Sequence, residues 1–188
     1  MNRIPCAKGT ALVDLVRIAR QERESYARML PADTLAFLDT QVLPGSWYPE
    51  VHLRELLIAT DRIRGRGDLS HCREVLGPRS AEKDLQGGVY QALLKAGDPA
   101  RTLQSFPTLW SLYHDSGVFS VEVEATGSTT LFLEEFGLPS AALCATSEGW
   151  MLEAVRLAGG ASPAVVHDAC VSRGAGACRF RVSWNRGS

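Results

Sequence analysis

The stretch VFSVEVEATGSTTLFLEEF, residues 118–136, decides the fold class. Val118 to Ala125 alternates close to the period of two that a half-buried strand requires. Thr126-Gly127-Ser128 reads as a hairpin turn, and Thr129 to Phe136 as the returning strand. A second hairpin closes the chain: Pro163 to Val171 and Ala177 to Trp184 flank Arg173-Gly174-Ala175-Gly176. Between the hairpins, Pro139-Ser140 opens a helix along Leu143, Trp150, Leu152, Val155 and Leu157, which Gly159-Gly160 ends.

Before residue 118 the period changes to that of helices. Thr10 is placed to cap a helix through Leu12, Leu15, Val16 and Ala19 that reaches Leu30. A second helix is expected over Asp33 to Val42, after Pro31. A third follows the aromatic cluster Trp47-Tyr48-Pro49 and carries Leu53, Leu56 and Leu57. Ser70 to Ala96 reads as helical, interrupted or kinked at Gly77-Pro78 and Gly87-Gly88. Asp98-Pro99 is a cap followed by a proline, and the helix it starts holds Leu103, Phe106, Leu109, Trp110 and Tyr113 and stops near Gly117. Helices first and two antiparallel hairpins after them make an α+β layout. One domain over 1–188 is expected, mainly helical to 117 and hairpin–helix–hairpin from 118.

The bulk numbers are those of a globular chain: 188 residues, 45% hydrophobic, 22% charged, net charge −1. A balanced charge gives no field to attract nucleic acid or an anionic membrane. No apolar run reaches the ~18 residues of a membrane span, and Met1 to Thr10 lacks a signal-peptide pattern. A cytoplasmic location is therefore expected. There, five cysteines are free thiols, metal ligands or redox groups rather than disulfides.

A turn near Gly174 sets Cys170 opposite Cys178, where cross-strand Cβ atoms lie about 4.5–5.5 Å apart. Two thiolates on one tetrahedral zinc are compatible with that spacing. His167 precedes Cys170 by three residues and would face the other side of a regular strand, so both reach one ion only across a bulge or a strand end. Cys144, at the head of the intervening helix, would complete a closed shell of four. The alternative is that the three cysteines are small buried hydrophobes.

The segment Leu143 to Trp184 resembles the 4-vinyl reductase domain: Cys144 heads a helix with Gly149 a few residues on, His167 stands three before Cys170, Gly174 and Gly176 form the turn, and Cys178 opens a strand with Phe180. Phenol-sensing regulators of that family bind zinc through Cys, Glu, Cys and Cys at the same cysteine spacings. The resemblance therefore implies a structural zinc on Cys144, His167, Cys170 and Cys178, with His167 in the glutamate's place. Upstream, Lys8-Gly9-Thr10 and Trp47-Tyr48-Pro49 look similar to uncharacterised myxobacterial proteins with such an end. The wider fold group includes haem-based NO sensors and TRAPP transport subunits. It implies helices packed on a twisted four-stranded antiparallel sheet, and a homodimer.

His114 follows Trp110 and Tyr113, so it is a candidate haem ligand. Haem is nevertheless not expected, because the Tyr-x-Ser-x-Arg motif of the haem NO sensors is missing and a helix-end histidine usually caps or meets the helix dipole. Phe106, Trp110, His114, Phe132 and Trp150 are the candidate wall of a pocket for a small apolar or aromatic molecule, or else plain core. No nucleophile has a base near it, Gly65-x-Gly67 lacks the context of a phosphate loop, and Glu122 and Glu124 read as a solvated face. An enzyme is not expected. The expected function is a non-enzymatic small-molecule-sensing regulatory domain with a structural zinc and a protein partner. The alternative is a ligand-free dimeric adaptor or scaffold in a bacterial signalling or motility complex.

Overall fold

The computed structural model describes residues 4–88, 90–125 and 127–186. Its first element, β1 (Cys6–Lys8), pairs antiparallel with β2 (Trp47–Pro49) in a two-stranded sheet. The sequence reading missed this sheet, since three-residue strands carry no period, and took Trp47-Tyr48-Pro49 as a helix lead-in. Ala7 also bridges to His114, Cys6 accepts a hydrogen bond from the Asp115 amide, and the Cys6 amide donates to the Asp115 carboxylate at 2.7 Å.

Helix α1 (Gly9–Gln21) buries Leu12, Leu15, Val16 and Ala19, the expected stripe. Thr10 does not cap it; its hydroxyl donates to the Pro44 carbonyl. The helix also stops short of Leu30, because Glu22 leaves the helical region at φ −116° and ψ 37°. After that break α2 (Arg23–Ala27) turns Tyr26 fully into the core, where its hydroxyl meets that of Thr60 at 2.8 Å. Helix α3 (Ala32–Phe37) is shorter than the expected Asp33 to Val42, and α4 (Glu50–Arg64) follows β2 directly.

The Gly77-Pro78 kink is instead a widened helical turn. A π-helical segment over Cys72–Leu76 runs straight into α5 (Gly77–Leu85). Pro78 has no N–H to give, and its ring crowds the carbonyl four residues back; a wide turn just before it relieves both. A short 3₁₀ turn covers Gln91–Leu93. Asp98 caps α6 (Pro99–Leu103), accepting from the Arg101 amide at 3.0 Å. The single helix expected to Gly117 is broken before α7 (Phe106–Tyr113), whose first turn contains Pro107.

The two hairpins form one open antiparallel sheet in the order β3-β4-β6-β5, from β3 (Val118–Ala125), β4 (Ser128–Glu134), β5 (Gly160–Ala169) and β6 (Cys178–Arg186). Cross-strand rows follow the pleat. Val121, Leu131, Phe180 and His167 make one inner row, and Phe119, Leu133 and Cys178 the next. Glu122 and Glu124 face outward and are exposed. Helix α8 (Ala141–Leu157), capped by the Ser140 hydroxyl on the Leu143 amide, packs on the inner face and is itself mostly buried. No helix of the described residues is long and apolar enough to cross a membrane.

Glycine lets α8 meet the wide turn. A Cβ on Gly149 would lie 2.1 Å from the Arg73 carbonyl oxygen, and one on Gly77 would lie 2.8 Å from the Gly149 Cα. Both obstacles are backbone, so neither can swing aside. Gly149→Ala is expected to lower stability by about 1–3 kcal/mol, the usual cost of overpacking, measured as a fall in the urea unfolding midpoint.

Candidate metal centre and ligand cavity

Four side chains of the sheet and α8 converge beneath the helix N-terminus. Cys144 lies in the first turn of α8, Cys178 opens β6, Cys170 follows β5, and His167 sits in β5's inner row. The three sulfurs are 3.9 Å (Cys144–Cys170), 3.7 Å (Cys144–Cys178) and 3.7 Å (Cys170–Cys178) apart. A zinc tetrahedron with bonds of about 2.3 Å has sulfur–sulfur edges of about 3.8 Å. The register of β5 shifts between His167 and Ala169, the bulge needed to turn His167 and Cys170 to one side. With it, one ligand atom from each of the four residues lies within 4.8 Å of every other.

His167 is held from behind. Its Nδ1 meets the Glu148 carboxylate at 2.8 Å, its ring stacks on Phe180 at 4.2 Å, and its Nε2 is buried with no hydrogen-bond partner among the described residues. A carboxylate that fixes Nδ1 leaves the Nε2 lone pair for a metal. The other Glu148 oxygen takes the Arg73 guanidinium at 2.5 Å. Burial would raise the Glu148 acid, but His167 and Arg73 outweigh it and hold it below its ordinary value. The thiols polarise one another: the hydrogen bond to Cys178, with burial, pushes Cys144 up, and the same bond draws Cys178 down. A shared-charge thiol group beside an orphaned imidazole nitrogen is the donor set a soft divalent ion takes. Sequence reasoning missed Glu148; its one signal is the four-residue spacing from Cys144, which puts both on one helix face.

A separate cavity of about 270 Å³ lies between α1 and α4 on one side and α5, α7 and α8 on the other. Of the five pocket candidates, Phe106, Trp110, His114 and Trp150 line it. Phe132 does not. It belongs to the outer row with Ser120 and Arg179, because strand residues alternate faces and its neighbours Leu131 and Leu133 take the inner one. The Phe106 ring packs on Trp150 at 4.7 Å, and Trp110 stacks on His114 at 3.9 Å. Leu15, Leu53, Leu57 and Leu109 supply apolar wall, while exposed Asp14, Arg17 and Lys83 form a paired rim.

Two buried acids in this region went unread in the sequence. Glu50, 1% exposed, holds His114 Nδ1 with both oxygens at 3.1 Å. Asp84 accepts the Tyr113 hydroxyl at 2.6 Å and the Trp150 indole N–H at 3.0 Å, and burial pushes its carboxyl up. Removing one partner of a buried pair strands the other without solvent, at about 1–3 kcal/mol. Glu50→Ala is therefore expected to destabilise the fold by that amount in chemical unfolding.

These features place the chain in a class by architecture: a helical lobe set against an open four-stranded sheet, with a cavity among the helices. Solved structures that share it include H-NOX proteins. One from S. oneidensis in the Fe(II)NO ligation state superposes with a TM-score of 0.65 at 14% identity, covering 95% of this chain and 99% of that one. The Fe(II) unliganded protein from K. algicida gives 0.64 at 15%, covering 96% and 97%. A third, concerned with haem distortion in the H-NOX family, gives 0.62 at 11%, covering 96% of each. Identity this low establishes the fold alone. Neither a family model nor a curated protein sequence matches the chain.

The fold group that includes haem NO sensors is thus the one expected. The expectation against haem is overturned, since the structures sharing the fold are haem proteins. It rested on a missing motif and on reading His114 as a helix-end residue; His114 does stand at the C-cap of α7, and from there it also lines the cavity with its Nδ1 held by a carboxylate. Those donors fit haem in kind: His114 would offer a ring nitrogen to its iron, and Arg79, also on the lining, a counter-charge for an acidic substituent.

Proposed function

We propose that the chain is a non-enzymatic, small-molecule-sensing regulatory domain whose ligand occupies the cavity and whose C-terminal half is fastened by a structural zinc on Cys144, His167, Cys170 and Cys178. The observation that carries the ligand reading is the aromatic cavity itself, formed by Phe106, Trp110 and Trp150 with a few convergent polar groups. As it stands its volume, about 270 Å³, is that of a one- or two-ring molecule. The zinc reading rests on three sulfur edges of tetrahedral length and one buried imidazole nitrogen facing no other partner among the described residues. Four donors leave no open position, so the ion serves stability rather than catalysis.

Helix α8 joins the two sites. Cys144 and Glu148 look toward the metal, while Leu143, Ser147 and Trp150 line the cavity. A ligand favouring one packing of α1, α5 and α8 shifts the population toward it, and a protein partner reading that surface completes the signal. Haem is the second reading, favoured by His114; its macrocycle exceeds one or two rings, so the cavity would have to widen to take it. When bound it supplies an iron that takes a diatomic gas. His114 would hold that iron, with Glu50 fixing the imidazole's orientation.

Elemental analysis of the purified chain is expected to find about one zinc per chain, with melting lowered by chelation; below about 0.2, with unchanged melting, the centre is not a zinc site. Cys178→Ser should destabilise strongly and Cys6→Ser little, in thermal unfolding. Haem titrated into the protein should give a stoichiometric absorbance change that His114→Ala abolishes if the second reading holds. Native mass spectrometry showing a retained organic molecule in place of haem supports the first.

A further inference from the structure

Two acids line the cavity, Asp14 and Asp84. Asp14 is paired with Arg17 and Lys83 at the rim, and Glu50, behind the lining, is paired with His114. Asp84 is 4% exposed and forms no ion pair among the described residues, although it lines the cavity. Both of its hydrogen bonds come from neutral donors, Tyr113 and Trp150, one to each oxygen. A carboxylate has about four acceptor positions, so two remain. Its two donors are also cavity walls, and Phe106 and Trp110 add two further aromatic faces. A buried carboxylate is costly unless a cation meets it, and aromatic faces attract cations in their turn.

We infer that Asp84 makes this cavity selective for a small aromatic amine or similar organic cation, the ammonium meeting the free acceptor positions of Asp84 and the ring packing among Phe106, Trp110 and Trp150. This rests on the ligand-cavity reading above. Tyr113 and Trp150 then act as positioning residues that aim the carboxylate. A merely structural Asp84, tying α5 to α7 and α8, would use the same two hydrogen bonds and show no preference for charge.

The test is calorimetric titration of the full chain with three probes of similar size: 2-phenylethylamine, 2-phenylethanol and 3-phenylpropionate. The amine is expected to bind about tenfold or more tightly than either of the others, the effect of one buried charged hydrogen bond. Asp84→Asn should erase that preference while keeping the alcohol's affinity. Equal or tighter binding of the alcohol or the acid to the unmodified protein overturns the charge selection and leaves the cavity reading intact. Binding of none of the three overturns both. Because the preference is read first on the unmodified chain, poor folding of Asp84→Asn does not remove the test.

Discussion

The contact between α8 and the wide turn through Cys72–Leu76 governs both candidate sites. It exists because Gly149 presents no side chain to the Arg73 carbonyl. The residues on either side of Gly149 then diverge. Glu148 reaches the Arg73 guanidinium and His167, and so orients the imidazole of the candidate metal centre. Trp150 reaches Asp84 and so builds the cavity wall. One bare position in the helix lets consecutive side chains serve two separate chemistries, and any side chain there would push both away from their partners.

Buried charge is distributed unequally between these regions. At the Cys/His cluster, three sulfurs lie beside one carboxylate, which is held between Arg73 and His167. At the cavity, His114 and Glu50 make a closed pair, stacked against Trp110. Only Asp84 is left with neutral donors. Low-dielectric surroundings magnify such differences, since an unmatched group cannot turn to water for relief. Among the described residues, His167 Nε2 and Thr129 Oγ1 are buried without a hydrogen-bond partner, and Asp84 has hydrogen bonds but no ion pair.

Much of this was visible in the chain itself. Period-two alternation placed β3 and β4, and the Gly-rich turn before Cys178 placed the second hairpin. Strand and turn positions made Cys170 and Cys178 a pair, the family resemblance added Cys144 on its helix, and the bulge His167 required is present at Asp168. Phe106, Trp110 and Trp150 followed from helical spacing. Phe132 did not, since a strand's two faces cannot be told apart by composition when both carry large apolar groups. Glu50, Asp84 and Glu148 were invisible for another reason. Their partners lie 64, 66 and 19 residues away, so only the closed structure reveals what each carboxylate is for. The break at Glu22 and the sheet β1–β2 were equally illegible, being imposed by tertiary contacts on segments too short to show a period.

That small sheet has a further meaning. Through Cys6 and Ala7, the extreme start of the chain is stitched to His114 and Asp115, more than a hundred positions later. Loop-closure entropy must be overcome before such a stitch is rewarded. On a ribosome, the first strand emerges long before its anchor exists. The contact between β1 and the end of α7 therefore cannot form until α7 and the chain beyond it have appeared, while α1 and α4 can associate early.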